Sequence, residues 1–168
     1  MQTYDCEPTL NDSEVLEFCK NGYMLLDRVV PSEINKKVTA WVNEPAGKAH
    51  VENYINLDDR YQDLAREQWF KDNVLLNDAL AGALRSLLGK NFGLPSLIAN
   101  HKSECPIPEA QDWHWDGGAK FGPQINYVLV FYLPEGCPRD MGPTEILPSS
   151  HFLFSPSSYM GHYGSIKG

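Results

Sequence analysis

The chain has no apolar run long enough to span a bilayer, which takes about 20 residues, so nothing in it reads as a membrane segment. A basic surplus is also missing: 14 Lys and Arg stand against 22 Asp and Glu, a net charge of −8. Nucleic acid needs a cationic face, and that class of partner is set aside. The opening Met1-Gln2-Thr3-Tyr4-Asp5 has neither the basic start nor the apolar stretch of a secretory signal. Cysteine is sparse. Cys6, Cys19, Cys105 and Cys137 are widely separated and form no Cys-x-x-Cys pair. That spacing argues against a disulfide framework or a zinc site and points to reduced thiols in a cytoplasmic protein. Repeats and low-complexity segments are absent, and no arginine follows Arg139.

What is present suits one globular domain, residues 1–168. Hydrophobic residues make up 42% and charged residues 21%, ordinary proportions for a chain able to bury a sizeable core. Asn11-Asp12-Ser13-Glu14 supplies cap-type residues before a helical pattern of Val15, Leu16, Phe18 and Cys19, which Asn21-Gly22 ends. Tyr23 to Val30 reads as a strand. Pro31-Ser32-Glu33 opens a second helix through Ile34, Val38, Trp41 and Val42, and Glu44-Pro45 stops it. Residues 45–62 read as loop with at most one short strand. The apolar stripe of Val74, Leu75, Ala79, Leu80, Ala83, Leu84, Leu87 and Leu88 predicts a helix from Asn73 to Leu88.

Beyond residue 95 the pattern turns to strands. Leu97 to Lys102 and Trp113 to Asp116 read as extended, and Gln124 to Pro134, rich in aromatic and β-branched residues, is the strongest strand signal. A short strand from Thr144 to Leu147 comes after it. Helices first and strands afterwards predict an α+β domain, helical over 10–90, with the helices on one face of an antiparallel sheet.

The chemistry concentrates at Gln111-Asp112-Trp113-His114-Trp115-Asp116-Gly117-Gly118. On an extended strand, residues two apart share a face, so His114 and Asp116 would present an imidazole and a carboxylate together. That is the start of a two-His-one-carboxylate facial triad, which holds ferrous iron and leaves positions open for oxygen and a cosubstrate. A lone His-x-Asp also occurs as an ordinary surface pair on a strand. A second segment strengthens the metal reading: Met141-Gly142-Pro143-Thr144-Glu145-Ile146-Leu147-Pro148-Ser149-Ser150-His151.

Taken with Phe18 to Leu26 and Val30-Pro31-Ser32-Glu33, these segments resemble the phytanoyl-CoA dioxygenase family of iron(II)- and 2-oxoglutarate-dependent oxygenases, in order from about residue 10 to 155. The resemblance implies a double-stranded β-helix, a mainly β, cupin-like jelly-roll with N-terminal helices. Residues 95–168 would be its first part, and the barrel would be incomplete at the C-terminus. It implies Fe(II) and 2-oxoglutarate as cofactors, His114 and Asp116 as catalytic metal ligands, and a small organic substrate that is hydroxylated. Halogenases related to the family replace the carboxylate with a small residue; Asp116 favours hydroxylation.

The family pattern closes the triad with a second His, followed by an Arg that grips the cosubstrate. Here only His151 and His162 come after Asp116, and no Arg follows either. His162, in the Gly-rich Tyr159 to Gly164 stretch, is the candidate third ligand. His151 falls in the Pro-Ser-Ser-His turn, where an imidazole more simply satisfies the turn. Lys102, Tyr127 and Tyr132 are candidates for contacting 2-oxoglutarate. Against this stand a solvated lysine and core tyrosines whose hydroxyls find partners. His50 and His101 read as structural or exposed. The competing expectation is a truncated, catalytically inactive homologue, acting as a binding module or an inert fragment. A cupin-like protein of other chemistry would need further histidines clustered near His114, and the sequence has none.

Overall fold

A computed structural model describes residues 3–43, 55–56, 64–94, 100–101, 114–116, 124–139, 143–152 and 163–165. After a two-residue strand β1, Thr3–Tyr4, helix α1 runs Asp12–Asn21. Its start is a reciprocal capping box. Asn11 Oδ1 accepts from the Glu14 amide at 3.0 Å, and the Asn11 amide donates to Glu14 Oε2 at 2.8 Å. Gly22, at φ 83°, ends the helix and donates its amide to the Phe18 carbonyl at 2.7 Å. This is the left-handed backbone that glycine adopts at least cost. No residue of α1 is buried.

Helix α2 spans Ser32–Asn43, opened by the Pro31 carbonyl, which accepts from the amides of Ile34 and Asn35. The predicted helix from Asn73 to Leu88 is instead two pieces. Helix α3, Gln68–Phe70, continues into a widened turn over Lys71–Leu75, closed by a 2.7 Å bond from the Leu76 amide to the Lys71 carbonyl. Helix α4 then starts afresh over Asp78–Leu88. The break lies at Asn77. Its Oδ1 accepts from the Ala79 and Leu80 amides while its Nδ2 donates to the Val29 carbonyl at 2.9 Å. A short amide side chain that bonds the backbone locally favours a helix start over helix continuation.

The N-terminal segment is laid along α4. β1 pairs antiparallel with β3, Phe92–Gly93, and the Tyr4 and Phe92 rings meet edge to face at 5.9 Å. Asp5 takes Arg85 Nε at 2.6 Å, and Ser86 Oγ accepts the amides of both Thr9 and Leu10. Gly82 faces Thr9 so closely that a Cβ would fall 2.2 Å from Thr9 Cγ2. The main core gathers Val30, Val38, Leu64, Phe70 and Val74, with Ile34, Trp41, Trp69, Leu75 and Tyr132 packed around them. Among the described residues, α2, the 64–75 segment and Val30 share it with Tyr132 from the C-terminal half.

Two further antiparallel ladders complete the strand pairing among the described residues. β2, Ile55–Asn56, pairs with β4, Asn100–His101, and β5, His114–Asp116, pairs with β6, Tyr163–Ser165. Three expected strands form no ladder among the described residues. Tyr23–Val30 turns at Asp27 and Arg28, the latter at φ 56°, and the Val29 and Val30 carbonyls bond Asn77 and Asn35 side chains rather than a neighbouring strand. Residues 124–134 and 144–147 have strand composition, but no described segment hydrogen-bonds alongside them. Composition supplies a segment that can pair; the partner must come from elsewhere in the chain.

Candidate functional site

The His114–Asp116 segment is a strand, as its alternation predicts. Its partner fixes the local register: His114 stands opposite Ser165, Trp115 opposite Gly164, and Asp116 opposite Tyr163. Residues directly opposite in an antiparallel pair share a face. Positions 114, 116, 163 and 165 therefore belong to one face of this ribbon, and 115 and 164 to the other. Sequence reading missed Tyr163 and Ser165 as neighbours of the pair, because no local pattern reports a partner strand so far along the chain.

Lys102 and His162 lie outside the described residues. His101 forms the end of β4, opposite Ile55. Tyr127 is exposed, at 73% of its free surface. Tyr132 is half-buried, with its ring against Phe70 and its hydroxyl donating to Asn35 Oδ1 at 2.6 Å. Burial pushes that hydroxyl up to about 12, because desolvation disfavours the phenolate. Asn35 in turn reaches the Val30 carbonyl through Nδ2 at 3.5 Å. Tyr132 thus ties the C-terminal half to the start of α2.

His151 is placed most fully. It lies in a single 3-10 turn, Ser150–Phe152, where its Nε2 is 2.8 Å from the Cys19 carbonyl and its ring stacks on Phe152 at 4.1 Å between centroids. Among the described residues, no three His, Cys, Asp or Glu side chains converge as a metal-holding group. No described helix is long and apolar enough to cross a membrane. Cys6 has a thiol held above its usual range, by desolvation first and by the charge of Asp5 second; that makes it a poor nucleophile.

No protein-family model, curated protein or solved structure matches the chain.

Proposed function

We propose that the chain is an iron(II)- and 2-oxoglutarate-dependent dioxygenase of jelly-roll type that hydroxylates a small organic substrate. The observation that supports this is the ribbon at β5: an imidazole and a carboxylate residue two apart on a paired, extended strand share one face. A neutral imidazole and a carboxylate are donors that suit ferrous iron, and a third donor would complete the facial set. His162, next to Tyr163 in sequence, is the residue we propose for it. When bound, iron with 2-oxoglutarate supplies oxygen activation, with the cosubstrate losing carbon dioxide to become succinate.

The chain's own part is to bind and position. His114 and Asp116 would hold the metal. Lys102 and Tyr127 are the groups we propose for the anionic cosubstrate, a cation and a hydroxyl that can each bond a carboxylate. Tyr132 is better suited to holding the core, since its one proton is already donated to Asn35.

The test is anaerobic titration of the chain with iron(II) and 2-oxoglutarate, following the visible charge-transfer band of the chelate. A band that His114→Ala and Asp116→Ala each abolish is the expected result. Its loss in His162→Ala would assign the third donor. No band at millimolar cosubstrate would overturn the reading in favour of a catalytically inactive homologue.

A further inference from the structure

An α-helix leaves its last four carbonyls without partners inside the helix. In α1 these belong to Phe18, Cys19, Lys20 and Asn21, and all four are satisfied. Gly22 serves the first through its own amide. The other three are met from far along the chain. The His151 imidazole bonds the Cys19 carbonyl at 2.8 Å, Ser149 Oγ donates to Lys20 at 2.9 Å, and the Ser149 amide donates to Asn21 at 2.8 Å. A carbonyl only accepts, so Nε2 must carry the proton in this contact.

Gly22 makes room for this. A Cβ there would stand 2.6 Å from His151 Nδ1, so the imidazole occupies the space that any other residue would fill. Ser149 itself adopts φ 64°, and the turn is closed by bonds from Ser150 to Leu147 and from Phe152 to Ser149. Ile146, Leu147, His151 and Phe152 are exposed. Among the described residues, two side chains and one amide, all from Ser149 and His151, make these three long-range bonds.

We propose that residues 148–152 are a strap that docks on the carbonyl end of α1 and opens as one unit, with His151 as its positioning residue. This inference is independent of the oxygenase reading, and its test uses no metal. In native-state hydrogen exchange, the amides of Gly22, Ser149 and Phe152 share one opening rate. Ser149→Ala and His151→Ala each raise it on the order of tenfold, the effect of losing one net hydrogen bond, and α4 amides do not respond. Gly22→Ala speeds the Ser149 amide more in the native background than once His151→Ala is present, where only the strain of alanine at φ 83° remains. Unchanged Ser149 exchange in His151→Ala, or an equal effect of Gly22→Ala in both backgrounds, would overturn the strap. Should His151→Ala fail to fold, the imidazole nitrogen shifts of the unaltered chain decide. An Nε2–H tautomer supports docking and an Nδ1–H tautomer refutes it.

Discussion

Tyr132 brings a hydroxyl to the edge of an apolar cluster, where the Asn35 side chain accepts its proton at 2.6 Å. The contact requires the neutral phenol. Because its folded-state value of about 12 lies above the ordinary tyrosine value of about 10, the folded chain resists ionisation more than the unfolded one. The stability this supplies is full below about pH 10 and is lost as pH climbs toward about 12. Tyr132→Phe should therefore flatten the alkaline fall of the urea midpoint, and near neutral pH it should cost about 1 kcal/mol. An unaltered alkaline fall in the variant would assign it to another group. The sequence allows Tyr132 two roles, cosubstrate donor or core residue. It cannot name Asn35, which lies 97 residues away. His114 and Asp116 are legible as a pair because strand alternation is a local rule.

Helix ends are the most legible features at the scale of elements. Asn11 with Glu14, Gly22 and Pro31 each mark a boundary that the structure shows, since capping is decided within four residues. The helix expected from Asn73 was misread because Val74 and Leu75 lie in phase with the stripe of α4 across the break. The decisive residue is Asn77, whose side chain caps α4 and also holds Val29. Asn77→Ala should destabilise the fold by about 1–2 kcal/mol, combining a lost cap with an unpartnered carbonyl. Asn77→Asp keeps the acceptor and adds a favourable charge at the helix start, so it should cost less. Urea denaturation of both variants separates the two contributions, and equal losses would show that the cap contributes little.

For the whole molecule, the first two helices and the local caps could be read from sequence, whereas the break at Asn77 and the strand pairings could not. Each ladder joins segments well apart in the chain, and periodicity carries no information about such partners. The stretch from Gln124 to Pro134 has the composition of a strand without the partner. It carries no charge and forms no ladder among the described residues, and Tyr127, Leu129, Val130, Phe131 and Leu133 are exposed. Such a stretch is a template for association. Phe131→Lys should lower concentration-dependent light scattering at least severalfold while leaving the far-ultraviolet dichroism of the helices intact. Scattering that persists would place the sticky surface elsewhere. The strap on α1 also sets an order of events during synthesis. The capping box of α1 is in place once Glu14 has emerged, yet three of its carbonyls await Ser149 and His151. At about 5–20 residues per second, that wait lasts roughly 6–26 s. Until then the nascent helix has a firm front and a fraying tail, open to whatever first meets it at the ribosome exit.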